Sequence, residues 1–163
     1  MRAARACLIA AFLSLSLPAL AQQSTYLMFG PAVGNLRHRT KYGYASVEAR
    51  HLFHSWGKLS IGFGGTLEVS RDEDYIGPNL TLDYRFTPRW GAALTSGPGW
   101  YSNHSLNLGS HLEFRSGLEL FYFFHRNWRN WRIAAGIFHY SNAGVALHNP
   151  GTESVRIAIV IPL

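Results

Sequence analysis

Cysteine is almost missing from the 163 residues: Cys7 is the only one, and it sits in the apolar N-terminal stretch. No intramolecular disulfide can form, which separates the chain from small exported domains that rely on cross-links. Charge is scarce as well, at 15% of residues, and the fifteen Lys+Arg against nine Asp+Glu are scattered rather than run together. A nucleic-acid partner calls for clustered basic residues, so that class is excluded, whereas a modestly basic surface suits anionic lipid. Long hydrophobic runs are missing too. No stretch after Ala21 reaches the roughly 18 consecutive apolar residues of a spanning helix, and no sustained 3.6-residue period appears.

What is present begins with an export signal. Arg2 and Arg5 precede the apolar run Leu8-Ile9-Ala10-Ala11-Phe12-Leu13, and Pro18-Ala19-Leu20-Ala21 gives a small-x-small ending before polar Gln22-Gln23. Residues 1–21 are therefore expected to be a signal peptide cleaved after Ala21, leaving a domain over 22–163 that contains no cysteine. Losing the two arginines lowers the formal +6 to about +4. A lipoprotein signal would place a cysteine at the cleavage point, and none is there.

The dominant pattern after Ala21 has period two. From Leu106 the even positions read Leu106, Leu108, Ser110, Leu112, Phe114, Ser116, Leu118, Leu120, Tyr122 and Phe124, against Asn107, His111, Glu113, Arg115 and Glu119 at odd ones. Leu80, Leu82, Tyr84 and Phe86 alternate likewise with Asn79, Thr81, Asp83 and Arg85. Turn signals divide the domain into eight strands near 24–34, 41–53, 58–70, 77–86, 89–96, 106–124, 130–141 and 153–163. The connections Ser55-Trp56-Gly57, Thr87-Pro88-Arg89 and His125-Arg126-Asn127-Trp128 are short, while 35–40, 71–76, 97–105 and 142–152 are longer.

An even strand count with short turns at one end and long loops at the other predicts an all-β fold, an eight-stranded antiparallel transmembrane β-barrel with a periplasmic N-terminus. Trp56, Trp90, Trp100, Trp128 and Trp131 near strand ends suit the two interfacial girdles. A soluble lipocalin-like carrier also alternates, with its apolar series inward. The outward choice follows from charges of both signs (Glu48, Arg50, Glu68, Asp83, Arg85, Glu113, Arg115, Glu119, Arg132) that can pair in a plugged interior. The last strand, Val155, Ile157, Ile159, Ile161, Leu163, ends in apolar alternation, and Pro162 is tolerable only at its frayed end.

Parity also isolates a chemical constellation. His139 and Ser141 fall on the apolar face with Trp131, Ile133, Ala135 and Ile137, and Glu153 continues the apolar series of the next strand. Three polar residues thus cap two lipid-facing stripes at the long-loop end. A serine hydroxyl becomes a nucleophile when a base removes its proton, and a histidine held by a carboxylate is the common base. Asn142, Gly144 and Asn149 can stabilise an oxyanion, through the Asn side chains or the Gly144 N–H.

The block Phe138-His139-Tyr140-Ser141-Asn142-Ala143-Gly144, followed by Asn149-Pro150-Gly151 and Glu153, resembles the signature of the PagL-type lipid A 3-O-deacylases, eight-stranded outer-membrane barrels. The resemblance implies that His139 is the base, Ser141 the nucleophile, Glu153 the residue orienting His139, and Asn142, Gly144 and Asn149 the oxyanion region. It further implies hydrolysis of the ester-linked 3-hydroxyacyl chain at position 3 of lipid A, with lipopolysaccharide as substrate, outer-membrane lipid as surroundings and no cofactor or metal.

The remaining polar residues read more plainly. His51 and His54 lie on opposite faces of a strand without acidic neighbours and are not expected to bind metal. His104, His111 and His125 show no partner pattern, and His148 lies near the constellation. Arg37, Arg39 and Lys41 form a basic first loop able to meet lipid A phosphates; Asp72, Glu73 and Asp74 read as solvated residues of the second. A non-enzymatic adhesin or structural barrel and a lipid acyltransferase are the rival functions; the latter calls for shielding of an acyl-enzyme from water.

Overall fold

The computed structural model describes residues 24–37, 39–124 and 131–163. The expected export signal, the turn 125–128 and the girdle position Trp128 lie outside the described residues. Eight strands follow in order: β1 (Ser24–Gly34), β2 (Tyr42–Trp56), β3 (Leu59–Val69), β4 (Asp74–Tyr84), β5 (Trp90–Tyr101), β6 (Leu112–Phe123), β7 (Arg132–Ser141) and β8 (Thr152–Pro162). Each pairs antiparallel with its sequence neighbours, and β1 closes on β8 into a barrel. Closure satisfies every strand edge, which a wall immersed in lipid requires.

Period-two patterning decides which face is which. Phe29, Val33, Leu80, Leu82, Leu94, Leu118, Leu120, Ile137, Val155 and Ile157 all point outward and exposed. The interior holds an ion-pair lattice. Arg50 bridges Glu48 at 2.5 Å and Glu119 at 2.6 Å, Arg156 bridges Glu48 at 2.9 Å and also meets Glu119, and Arg115 meets Glu68 at 3.1 Å. Three guanidinium groups against three carboxylates, all buried, leave the lattice neutral; breaking one partner would strand charge in a dry interior. A lipocalin-like carrier, whose apolar face turns inward, is thereby ruled out.

Apolar plugs close the lattice at both ends. Tyr26, Met28, Leu52, Phe121, Phe123 and Val160 cluster at the short-turn end, and Tyr75, Tyr101, Leu108, Phe138 and Tyr140 at the long-loop end. Of the girdle residues, Trp56, Trp90 and Trp100 are exposed at strand ends.

Several strand limits differ from the sequence expectation. β5 runs through Gly97-Pro98-Gly99 to Tyr101, because these turn-like residues meet their counterparts on β4: Pro78 falls opposite Pro98, and a Cβ on Gly97 or Gly77 would collide with the facing proline carbonyl. The β4–β5 ladder is interrupted there, between Ile76↔Trp100 and Leu80↔Ser96. β4 begins at Asp74 rather than 77. β6 begins only at Leu112; Leu106 and Leu108 belong to the preceding loop and fold inward, with Leu108 fully buried, so the outer-face series starts six residues later than their alternation suggests. Ser55 and Trp56 are strand residues, and the turn after them is Gly57-Lys58, with Gly57 at φ 61°.

Candidate functional site

The site stands where the outer wall meets the long loops. β7 carries His139 and Ser141 on its lipid-facing side, and His139 is registered directly opposite Glu153 on β8. His139 Nδ1 lies 3.1 Å from Glu153 Oε1. With Glu153 ionised and able only to accept, Nδ1 carries the proton, which leaves Nε2 as the basic nitrogen. The imidazole is about half exposed, at 47%, while the Glu153 side chain is 11% exposed. Ser141 stands two positions further along the same face; no hydrogen bond joins it to His139 in this arrangement, and such contacts often tighten only with substrate bound.

Gly151 makes room for the ring. It adopts φ 62°, a left-handed conformation that favours glycine, and a Cβ there would lie 2.9 Å from His139 Cε1. The first loop covers the other side. Leu36 N–H donates to the Glu153 carbonyl at 3.1 Å, and Arg37 Nη2 reaches Glu153 Oε1 at 2.8 Å, the same oxygen that His139 engages. Sequence pattern placed Arg37 in a basic loop without anticipating this contact, which depends on β1 and β8 being barrel neighbours.

Asn142 is fully buried and saturated. Its Nδ2 donates to the Leu108 carbonyl at 3.0 Å and the His148 carbonyl at 2.8 Å, its Oδ1 accepts the Gly144 N–H at 3.0 Å, and its own N–H donates to Asn149 Oδ1 at 3.2 Å. Asn142 therefore pins loop 142–151 to loop 102–111. In this arrangement the Asn142 side chain and the Gly144 N–H are both occupied, and the exposed Asn149 amide retains an uncommitted NH2 among the described residues. His148 is exposed at the same loop, and its carbonyl serves the Asn142 pin.

Glu73 departs from the sequence expectation of a solvated acid. It is 3% exposed and accepts from Ser102 Oγ at 2.6 Å, His104 N–H at 3.0 Å, Ser105 N–H at 2.5 Å and Leu106 N–H. One carboxylate from the second loop thus orders the third, which carries Leu108 to Asn142. His51 bonds Thr25 Oγ1 at 2.7 Å through Nδ1, and among the described residues no group of three or more His, Cys, Asp or Glu is placed to hold a metal.

An open groove of about 920 Å³ leads from His139 and Glu153 across the outer wall, lined among others by Leu80, Leu94, Pro98, Phe114, Leu118 and Ile137. A mostly apolar groove that reaches the His139–Glu153 pair has the shape and lining for a long acyl chain.

Comparison with known proteins gives a family and a fold. A family model described as lipid A 3-O-deacylase (PagL) matches residues 42–162. The crystal structure of the outer membrane enzyme PagL is similar in fold, with a TM-score of 0.58 at 16% identity, covering 86% of this chain and 99% of that one. Neisserial surface protein A (NspA) is similar at a TM-score of 0.54 and 13% identity, covering 83% and 94%. No curated protein matches the sequence.

Proposed function

The chain belongs to the lipid A 3-O-deacylase (PagL) family, and from that premise we propose that it hydrolyses the ester-linked 3-hydroxyacyl chain at position 3 of lipid A in the outer leaflet, as a serine esterase using Ser141, His139 and Glu153. The observation that carries the reading is the registered His139–Glu153 pair at 3.1 Å with Ser141 on the same lipid-facing stripe. A site on the outside of a barrel has use only for a substrate that arrives through the leaflet, its chains along the wall and its ester at headgroup depth.

In the proposed reaction Ser141 Oγ attacks the ester carbonyl carbon as His139 Nε2 takes its proton. The tetrahedral oxyanion then collapses, the sugar oxygen leaves with the proton from His139, and an acyl-Ser141 remains. Water, deprotonated by His139, attacks that ester and releases the hydroxy fatty acid and free Ser141. Glu153 holds the Nδ1 proton and balances the imidazolium formed in each step. The Asn149 amide is the side-chain donor best placed by its free valence to meet the oxyanion. Residues 1–21 serve as the export signal in this reading, and 22–163 as the barrel in the outer membrane.

Refolded protein and its Ser141→Ala variant, each incubated with lipid A in detergent and followed by mass spectrometry, test the assignment. Loss of one 3-hydroxyacyl chain with the parent alone is the expected result. Equal loss with the variant removes Ser141 from the mechanism; intact lipid A with both, over a barrel that still shows heat-modifiable mobility, removes the hydrolase.

A further inference from the structure

Charge is balanced in the lattice at the middle of the barrel and unbalanced at its short-turn end. A cup-shaped cavity of about 240 Å³ opens there, inside the wall. Lys58 from the β2–β3 turn, Arg85 just beyond β4 and Arg132 at the start of β7 converge on it. Asp83 is the one carboxylate among the described residues that line it, so two positive charges are left over.

Internal contacts do not absorb the excess. Asp83 is already matched, since its Oδ2 accepts from the Tyr26 O–H at 3.1 Å and from Arg132 Nη1 at 3.0 Å. Arg85 donates from Nη2 to the Pro88 carbonyl at 2.7 Å and lies over Phe123, its guanidinium carbon 4.0 Å from the ring centre. Lys58 Nζ stands 3.4 Å from the Phe86 carbonyl. A carbonyl accepts a proton but carries no charge, so Lys58 and Arg85 have no counter-ion among the residues lining the cup. Arg132 is only 8% exposed, and its Nε has no hydrogen-bond partner among the described residues. A guanidinium so enclosed ordinarily has its donors filled.

The shape of the cup narrows the occupant. Tyr26, Leu52 and Phe123 form an apolar floor that belongs to the cluster sealing the barrel, so a ligand stops at the rim. The rim carries the three cations and the hydroxyls of Ser24 and Ser60. A compact anion with several acceptor oxygens fits cations that approach from different strands. Guanidinium groups match phosphate oxygens in particular, an ammonium adds a point charge, and low-dielectric walls focus the field between them. Trp56 and Trp90, exposed at strand ends on the same side, set the rim at headgroup depth. A dissolved phosphate and a lipid phosphate can therefore both reach it.

We propose that Lys58, Arg85 and Arg132 form a binding site for a phosphate group in the short-turn mouth of the barrel, at the opposite end from the esterase site. Asp83 holds Arg132 in place, and the bound phosphate supplies the counter-charge that the lining lacks. Free phosphate and the headgroup of an anionic phospholipid are the two sources of that chemistry.

Lys41 and Lys58 are the only lysines in the chain and stand at opposite ends of the barrel, so competitive acetylation read by peptide mass spectrometry reports the site against an internal reference. Refolded protein in a phosphate-free detergent is labelled at rising inorganic phosphate, with ionic strength held constant by chloride. Acetylation of Lys58 is expected to slow by about tenfold at a phosphate concentration ten times Kd, with Lys41 unchanged. Arg85→Gln, its fold verified by heat-modifiable mobility, should weaken phosphate binding by about tenfold. A second arm uses phosphatidylcholine vesicles with and without phosphatidylglycerol. Protection of Lys58 by inorganic phosphate identifies the free anion as a sufficient ligand; protection that appears only with phosphatidylglycerol identifies the headgroup. Lys58 unprotected in both arms, equal slowing of the two lysines, or protection that Arg85→Gln leaves intact overturns the site.

Discussion

His139 Nδ1 stands 3.1 Å from Glu153 Oε1 across a directly registered pair of neighbouring strands. The ladder sets this distance, so the barrel wall itself orients the His139 ring. Glu153→Gln keeps the shape but offers an amide NH2 to Nδ1, which favours the tautomer with the proton on Nε2 and leaves Ser141 without a base. Turnover of lipid A in micelles is expected to fall by roughly three to four orders of magnitude, as loss of the orienting carboxylate does in serine hydrolases generally. A fall of less than tenfold in a folded variant would remove Glu153 from the mechanism.

Arg37 approaches the same Glu153 oxygen at 2.8 Å, yet its side chain is largely exposed beside the groove. It is therefore free to exchange the carboxylate for a phosphate on the lipid headgroup, for which a guanidinium is well matched. Arg37→Ala should raise KM for a phosphorylated lipid A by about tenfold, with kcat nearly unchanged. A neutral p-nitrophenyl acyl ester, having no phosphate, should show no change in KM. An equal rise for both substrates would mean that Arg37 shapes the groove and does not read the headgroup.

Gly151 combines φ 62° with a hypothetical Cβ 2.9 Å from the His139 ring. Gly151→Ala must therefore strain the backbone and push the imidazole off Glu153. The residue lies outside the strands, so the barrel itself should persist. Activity falling by about a hundredfold with unchanged heat-modifiable mobility is expected, since about an ångström of misplacement has that effect on catalysis.

The barrel was legible because its two faces differ in every strand, and period-two alternation survives any local ambiguity over turns. The candidate constellation stood out for the same reason: His139, Ser141 and Glu153 are polar residues at positions where parity demands apolar ones, and the ladder sets His139 against Glu153. Misreadings arose where a local signal was outweighed by a contact distant in sequence. Gly97-Pro98-Gly99 resembles a turn but meets Pro78 across the ladder, and Leu106 and Leu108 continue an alternation yet fold onto the interior cluster. The Arg37–Glu153 contact needs barrel closure and register, which no single strand encodes.

Glu73 offers a test of how the loops support the site. Its carboxylate gathers Ser102, His104, Ser105 and Leu106, the third loop delivers the Leu108 carbonyl to Asn142, and Asn142 holds the fourth loop. Glu73→Ala strands three backbone donors and should loosen both loops while leaving the wall intact. Limited proteolysis is expected to cut within 102–111 and 142–151 in the variant and not in the parent, with activity reduced. Cleavage confined to 102–111 would show that Asn142 holds the fourth loop unaided.

Two interior carboxylates should respond to amide substitution with opposite signs. Glu119 meets both Arg50 and Arg156, whereas Glu113 is equally buried with neither oxygen partnered among the described residues. Glu119→Gln removes a charge that two guanidinium groups share, leaving uncompensated positive charge in the dry interior, at a cost of about 3–5 kcal/mol. Glu113→Gln instead removes a carboxylate that has no cation and no hydrogen bond to lose, so stability should be unchanged or rise by up to about 1–3 kcal/mol. Urea unfolding of the refolded barrel in lipid vesicles, followed by tryptophan fluorescence, measures both. A destabilised Glu113→Gln would mean that this carboxylate is held by solvent inside the barrel, since only a partner for its charge could turn neutralisation into a loss.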